Sequence, residues 1–313
     1  MSKQPLVILT GPTAVGKTGL SVRVAREIGA EIISADSMQV YKYMDIGSAK
    51  VTPEEMGGVP HHLIDCFLPD DEFNVVRFKQ EADRAIADIL ARGRIPMLVG
   101  GTGFYIQAVL KNIDFTETVE DAEYRREMTE YARAHGNRAL HELLREKDPE
   151  AAAQIHENNV RKIIRALEFA RSTGDRISDH NAAEREKESP YNSAYFVLER
   201  DRRTLYDRID RRVDIMMENG LLEEVRRLRD MGYPPELPSM QGLGYKQLLK
   251  YLAGEYTLEQ AVTAIKTETR HYAKKQITWF KREKDVIYLD ADNSTEDMLS
   301  ENIKKILISL QII

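Results

Sequence analysis

Apolar residues along the first third of the chain form short continuous runs that alternate with amphipathic stretches. Four of these runs have the length and composition of buried strands, at residues 6–9, 31–35, 62–65 and 96–99. Apolar positions recur with helical spacing over residues 18–28 and 78–91, and Gly29 and Gly93 mark the ends of these stretches. This alternation predicts an α/β fold, a parallel sheet with helices on both faces.

The strand pattern disappears between residues 115 and 190. Helical patterns fill this stretch, interrupted by Gly136, Asp148-Pro149 and Gly174. Strand patterns return at residues 195–198 and 286–289, with long helical stretches between them. We therefore predict an α/β core built from residues 1–114 and 191–313, with an inserted all-helical domain at residues 115–190.

The turn between the first predicted strand and the first predicted helix has the sequence of a P-loop. Its residues are Gly11, Pro12, Thr13, Ala14, Val15, Gly16, Lys17 and Thr18. Glycines let backbone N–H groups surround phosphate oxygens, Lys17 can reach the outer phosphates, and the Thr18 hydroxyl can hold Mg²⁺. The core is thus expected to be P-loop NTPase-like and to bind a phosphate ester, with the reaction left open.

Composition narrows the class of protein. With 42% apolar and 31% charged residues, the 313-residue chain has the make-up of a soluble protein. We see no apolar run of membrane-spanning length and no signal-peptide pattern, so we expect a cytoplasmic protein without a membrane partner. Cys66 is the single cysteine, which excludes an internal disulfide. Its apolar neighbours Leu63 and Ile64 favour a buried structural thiol over a nucleophile.

The net charge of −6 argues against a protein that is basic all over, yet basic side chains gather on three helical segments. The sets are Arg161, Lys162 and Arg165; Lys266, Arg270 and Lys274; and Arg202, Arg203, Arg208, Arg211 and Arg212. Each set alone is also explained by a solvated helix face. Three sets in one acidic chain indicate a polyanionic partner.

Polar residues follow two of the predicted strands at the edge where open parallel sheets bind ligands. Asp36 has three interpretations from its position, a Mg²⁺ ligand, a proton acceptor or a helix cap. Gln39 carries an amide of the kind that pairs with adenine. Thr102 either contacts a ligand beside the glycines before it or caps the next helix. The adjacent pair His61-His62 favours structural roles over joint metal binding.

Two arginines lie one helical turn apart at the border of an apolar stripe. Arg208 and Arg212 can reach a site between helix and sheet, where a guanidinium suits a diphosphate. Surface ion pairs with Asp207 or Asp210 are the alternative.

Seven ordered segments together resemble the motif set of bacterial tRNA dimethylallyltransferases, over about residues 5 to 285. They are the P-loop and residues 36–41, 44–50, 98–103, 165–168, 242–246 and 275–279. The resemblance implies transfer of a dimethylallyl group from dimethylallyl diphosphate to the N6-amino group of the adenosine immediately 3′ of the tRNA anticodon. Lys17, Thr18 and Mg²⁺ would stabilise the leaving diphosphate. Arg212 would be the catalytic arginine and Asp36 the general base.

The resemblance also implies where the anticodon arm binds. The implied tRNA contacts are Asp36, Ser37, Met38, Gln39, Thr102, Arg125, Val160, Arg161, Lys162, Ile163, Ile164, Gln241, Gly242, Leu243, Gly244, Tyr245 and Lys246. We expect a monomer.

Three other functions share parts of this pattern. A nucleoside or nucleotide kinase would use the P-loop as an ATP-binding, nucleotide-binding site, with the insertion as a lid. A prenyltransferase acting on free adenine nucleotides is chemically closer. Neither it nor the kinase would need three basic faces or the late segment 242–246. A non-enzymatic P-loop RNA-binding module would have no need of Asp36, Thr18 and Arg212 together.

Overall fold

A computed structural model describes residues 3–115 and 121–313 and divides the chain into two compact units. The first unit combines Met1–Val109 with Pro190–Ile313, and the second is Leu110–Ser189. The sequence placed the boundaries of the insertion at residues 115 and 190. Residues 1, 2 and 116–120, which the predicted domain ranges include, lie outside the described residues.

The first unit contains one parallel sheet. Within the described residues its six strands are β1 Gln4–Thr10, β2 Ala30–Ala35, β3 His61–His62, β4 Ile95–Gly100, β5 Tyr191–Glu199 and β6 Val286–Asp290. Their spatial order is β3-β2-β4-β1-β5-β6, and every neighbouring pair is parallel. In the central register, Ile8 lies between Leu98 of β4 and Tyr195 of β5. The predicted parallel sheet is confirmed.

Helices connect these strands. The described helices, in chain order, are α1 Lys17–Ile28, α2 Pro53–Met56, α3 Val75–Ala91, α4 Gly103–Leu110, α5 Ala122–His135, α6 Asn137–Lys147, α7 Pro149–Gln154, α8 Val160–Thr173, α9 Ile177–Glu186, α10 Arg202–Glu218, α11 Leu221–Asp230, α12 Tyr245–Leu252, α13 Leu258–Phe280 and α14 Glu296–Ser309. Helices α5 to α9 belong to the second unit.

The central strands are continuous apolar runs because the sheet is covered on both faces. Successive side chains of a strand point to opposite faces, yet all of Leu6, Val7, Ile8 and Leu9 are fully buried. Val7 and Leu9 pack in one core cluster with α1 and α14. This burial fixes β1, and therefore the loop that follows it.

The third strand is shorter than its sequence predicted. We expected residues 62–65, but only His61–His62 pair with β2. Leu63 and Asp65 have φ angles of 61° and 55°, in the left-handed region that a strand cannot contain. The prediction for Cys66 was also wrong, because the thiol is exposed in the loop beyond this turn. Partial burial nevertheless raises its pKa, so it is not an activated thiolate.

The second unit has its own helical core. Leu140 and Leu144 of α6 pack against Ile163 of α8. The Asp148 carboxylate accepts hydrogen bonds from the backbone N–H of Ala151 and from the N–H and hydroxyl of Ser178, which joins the starts of α7 and α9. Among the described residues of the whole chain, no helix has the length and apolar character that a membrane crossing requires.

Candidate active site

The P-loop follows β1 and leads directly into α1, as predicted. Gly11 has φ 143°, and a Cβ atom there would lie 2.5 Å from the Leu198 carbonyl oxygen of β5. Gly16 precedes α1 with φ 111°. Both positions therefore require glycine for their backbone angles, and Gly11 requires it for close packing as well.

Side chains from distant segments hold the P-loop from outside. Arg200 Nε donates to the Val15 carbonyl at 2.9 Å, and Arg208 Nε donates to the Ala14 carbonyl at 2.8 Å. Gln276 accepts from the Thr13 N–H at 2.8 Å and donates to the Gly101 carbonyl at 2.9 Å. These roles of Arg200 and Gln276 were not predicted from the sequence.

A cavity of about 530 Å³ opens beside the P-loop and is rich in cations. Its basic lining residues are Lys17, Arg208, Arg211 and Arg212, and Thr18 also lines it. The carboxylates in its wall are Asp36 and Glu296. With four cations facing two carboxylates, the cavity has an excess of positive charge suited to an anion.

Burial lowers the pKa of three of these cations, Arg208 among them, and for Lys17 and Arg212 the charge of Asp36 opposes the shift. Lys17 Nζ donates to the Gly11 and Pro12 carbonyls at 2.9 and 2.8 Å. Burial, and after it the charge of Arg212, lowers the pKa of Lys17 to about 7, and Asp36 opposes the shift. Burial also lowers the pKa of Arg212, again against the attraction of Asp36. The negative charge of a bound anion would favour the charged form of both Lys17 and Arg212 and so raise the pKa of each.

Asp36 lies directly after β2, where the sheet edge meets the P-loop cavity. Its Oδ1 accepts from the backbone N–H of Met38 at 2.8 Å and of Gln39 at 3.3 Å. It therefore caps a turn with one oxygen rather than starting a helix. Its Oδ2 accepts no hydrogen bond from the described residues, so this oxygen remains available to a ligand.

A second cavity of about 290 Å³ adjoins the first and is mainly apolar. Its apolar side chains include Met38, Ile209, Val213, Met216, Leu221, Leu243 and Ile265. Six residues line both cavities, namely Thr13, Ala14, Asp36, Ser48, Arg212 and Tyr272. The site thus offers a cationic compartment and an apolar compartment that meet at Asp36 and Arg212.

The second cavity brings together two segments that the sequence assigned to the RNA path. Ser37 and Met38 line it, as do Gln241, Gly242, Leu243 and Gly244. Tyr245 is fully buried, so the expectation that its side chain touches RNA was wrong. Lys246 does not line the cavity. Gln39 uses both ends of its amide within the protein, accepting from Ser34 and donating to Ala49.

Thr102 precedes α4. Its backbone carbonyl accepts from Tyr105 and Ile106, but among the described residues its buried hydroxyl has no hydrogen-bond partner. The hydroxyl therefore does not act as the helix cap that we considered.

The predicted RNA-contact residues of the second unit fall into two groups. Arg161, Lys162 and Arg165 are exposed on one face of α8. Ile163 and Ile164 are buried in the core of this unit, and Val160 packs against it, so the expectation that these two isoleucines touch RNA was wrong. Arg125 forms an ion pair with the buried Glu168 at 2.9 Å.

The basic face of α13 is partly neutralised. Lys266 pairs with Asp214, and Arg270 pairs with Asp210, both at 2.6 Å. Asp210 therefore binds α13 and is not the partner of Arg208 that the sequence allowed.

The adjacent histidines have structural partners, His61 the Val59 carbonyl and His62 the Glu31 carboxylate. The described residues contain no group of three or more histidine, cysteine, aspartate or glutamate side chains that could hold a metal ion.

Comparison with known proteins gives a consistent family. The family model described as IPP transferase matches residues 39–283, and the model described as isopentenyl transferase matches residues 4–68. A curated tRNA dimethylallyltransferase from Lachnoclostridium phytofermentans is 57% identical over 312 residues, which cover 99% of each chain.

Solved structures agree with these matches. The full-length tRNA isopentenylpyrophosphate transferase of Bacillus halodurans is 44% identical with a TM-score of 0.75, covering 99% of this chain and 97% of that one. A eukaryotic dimethylallyltransferase described as acting on tRNA is 31% identical with a TM-score of 0.84, covering 98% of this chain and 78% of that one. With its P-loop, its paired cavities and these relatives, the chain belongs to the IPP transferase family.

Proposed function

We propose that this chain transfers a dimethylallyl group from dimethylallyl diphosphate to tRNA, at the N6-amino group of the adenosine immediately 3′ of the anticodon. The observation that carries the proposal is the pair of adjoining cavities that share Asp36 and Arg212. A reaction between an anionic donor and a flat, largely apolar base needs such a pair of compartments.

The cationic cavity suits the donor. When the allylic carbon–oxygen bond breaks, the electron pair stays on the diphosphate oxygen and negative charge accumulates there. Lys17 and Arg212 face that charge from positions fixed before the reaction, which is the arrangement that stabilises a transition state most. Arg208 adds a third cation while one of its nitrogens holds the P-loop.

The apolar cavity suits the acceptor. The adenosine would leave the stacked anticodon loop and enter this cavity as a flipped base. Its amino nitrogen then attacks the allylic carbon, and the proton that nitrogen loses passes to Asp36 Oδ2. Asp36 is suited to this role because only its Oδ1 is used in the turn.

Thr18 fits a Mg²⁺ ion that arrives with the diphosphate. Mg²⁺ usually keeps several waters and takes few protein ligands together with substrate phosphates. The exposed Thr18 residue lines the cationic cavity, and the described residues offer no all-protein metal cluster. When bound, Mg²⁺ would supply further positive charge to the leaving diphosphate.

Basic side chains of the second unit suit the phosphates of the anticodon arm. Arg161, Lys162 and Arg165 are exposed and form no ion pair with the described residues. Arg125, held by Glu168, and Thr102 are further proposed contacts. The proposal includes a cytoplasmic location, as the single cysteine suggests.

One assay tests the proposed substrates. The purified protein would receive labelled dimethylallyl diphosphate or labelled ATP, each with unmodified tRNA, with AMP or with no acceptor. We expect label in tRNA from dimethylallyl diphosphate alone. Label in AMP but not in tRNA would indicate a free-nucleotide prenyltransferase, and phosphate transfer from ATP would indicate a kinase.

A further inference from the structure

Glu224 is a buried carboxylate on α11, outside the seven segments that carry the family resemblance. It is 3% exposed and accepts four hydrogen bonds. Oε2 accepts from the backbone N–H groups of Asp45 and Ile46 at 2.9 and 2.8 Å. Oε1 accepts from the Gly47 N–H at 3.0 Å and from the Tyr245 hydroxyl at 2.7 Å.

These four donors satisfy the carboxylate without a cation. An ionised carboxylate only accepts hydrogen bonds, and it has room for about four donors. Within the described part of the chain no ion pair involves Glu224. Three consecutive backbone N–H groups therefore depend on this one side chain for their partners, far along the sequence from it.

The carboxylate joins two walls of the apolar cavity. Gly47, Ser48 and Ala49 form one part of the lining, and residues 241–244, which end just before Tyr245, form another. The two parts also touch directly, because a Cβ atom on Gly47 would lie 2.5 Å from the Tyr245 ring. Glu224 thus holds the 45–47 loop against Tyr245 and fixes the distance between the walls.

The cationic cavity depends much less on this connection. Of all these wall residues, only Ser48 lines it. The P-loop has its own supports in Arg200, Arg208 and Gln276. A change at Glu224 should therefore act on the apolar cavity and leave the diphosphate site intact.

We infer that Glu224 is a positioning residue that shapes the cavity for the tRNA adenosine. The inference rests on the proposed function, since it takes the apolar cavity as the acceptor site. Glu224 touches no reacting atom and acts through the 45–47 loop and Tyr245.

Glu224→Gln is the sharpest variant because it keeps the shape and changes the hydrogen bonding. The amide oxygen can still accept from Asp45 and Ile46, and the Tyr245 hydroxyl can rotate to accept from the amide nitrogen. The Gly47 N–H would then face another N–H group and lose its partner. Glu223→Gln, on the exposed side of the same helix, is the matched control.

Two measurements test the inference together. By hydrogen exchange we expect the Gly47 amide of Glu224→Gln to exchange at least about tenfold faster, with the amides of β1 unchanged. In prenyl transfer we expect the KM for tRNA to rise about tenfold, while the KM for dimethylallyl diphosphate and kcat at saturating tRNA change less than about threefold. Glu223→Gln should match the wild type in both.

The outcomes separate this inference from the proposed function. Exchange faster by the same factor throughout the first unit, or an unchanged KM for tRNA despite a loosened loop, overturns the positioning role. If Glu224→Gln does not fold, Tyr245→Phe is the second variant, because it removes one hydrogen bond and keeps the ring. We expect this variant also to raise the KM for tRNA. An unchanged KM would overturn the inference. Failure of the wild-type protein to modify tRNA would contradict the proposed function, while the exchange data still decide whether Glu224 holds the loop.

Discussion

Lys17 is the residue of the candidate site whose charge depends most on what is bound. Its ammonium group donates to two P-loop carbonyls, and its pKa of about 7 reflects burial beside Arg212. A diphosphate brings negative charge to the same place and favours the ammonium form. Charge on Lys17 and charge on the ligand are therefore linked.

Lys17→Ala should slow prenyl transfer severely while leaving tRNA affinity nearly intact. Losing one positive charge at the developing diphosphate should cost about 3 kcal/mol of transition-state stabilisation, or roughly a hundredfold in rate. Single-turnover rates and a tRNA titration measure the two effects. The exposed Lys42→Ala variant serves as control, and near-normal chemistry in Lys17→Ala would remove the P-loop from the mechanism.

The same linkage predicts a pH dependence of diphosphate binding. Above pH 7 the free protein must take up a proton at Lys17 to bind the anion, so affinity should fall by up to about tenfold per pH unit between pH 7 and 9. Calorimetry with an unreactive dimethylallyl diphosphate analogue measures it, and Lys17→Ala corrects for titration of the ligand. The same slope in wild type and variant would contradict the pKa shift.

The stability of the unliganded protein should have the opposite trend. Between the folded pKa of about 7 and the ordinary value of 10.5, the unfolded chain holds more protons at Lys17 than the folded protein does. Stability from this group therefore increases with pH across that window.

Asp36→Asn tests the proton acceptor. The amide oxygen can keep the turn by accepting from Met38 and Gln39, but the side chain can no longer take a proton. We expect the chemical step to slow by about 10² to 10⁴, with binding of dimethylallyl diphosphate unchanged. Should the main loss be in Mg²⁺ affinity, Asp36 belongs to the metal site and the base assignment is wrong.

At the scale of elements, α8 provides the clearest candidate surface for a polyanion. Its inward face packs in the core of the second unit, and Arg161, Lys162 and Arg165 are left exposed. The basic face of α13 is different, because carboxylates of α10 neutralise two of its cations. The sequence could not separate these faces, since helical spacing shows where a side chain points but not which charges lie opposite.

Replacing Arg161, Lys162 and Arg165 with Glu should weaken tRNA binding and leave dimethylallyl diphosphate binding unchanged. The wild-type log affinity for tRNA should fall steeply with log salt. The slope of the variant should be shallower by up to about 0.7 to 0.9 for each phosphate that it no longer neutralises. Binding isotherms at several salt concentrations measure the slopes.

A matched control separates the effect of net charge from the effect of the α8 face. The same reversal at Arg138, Arg145 and Lys147 on α6 changes the charge of the second unit equally. Equal losses of affinity in the two variants would mean that overall charge matters and the α8 face does not. No loss from the α8 reversal would show that these three side chains form only a solvated helix face.

Five of the six described strands were predictable because each contains a short run of apolar residues. The exception is β3, which ends where Leu63 and Asp65 adopt left-handed backbone angles. An apolar pattern does not predict such angles. Cys66 follows the same turn, which is why an apolar neighbourhood in sequence did not become burial in space.

At the scale of the whole molecule, the sequence predicted which residues meet but not what holds them. The P-loop and Asp36 meet because parallel strands bring their carboxyl ends to one edge, and Arg212 of α10 lines the same cavity. The contacts of Gln276 with Thr13 and of Glu224 with Gly47 join residues that are remote along the chain. No local spacing encodes such pairs, so only the folded structure identifies them.

The proposed reaction modifies one atom of one nucleotide. The most direct test incubates the purified protein with dimethylallyl diphosphate and an unmodified tRNA, digests the RNA and locates the product by mass spectrometry. We predict N6-dimethylallyladenosine at the adenosine 3′ of the anticodon, and none when guanosine replaces that adenosine. Modification of a different adenosine, or an unmodified tRNA under conditions where AMP is prenylated, would contradict the proposed reaction.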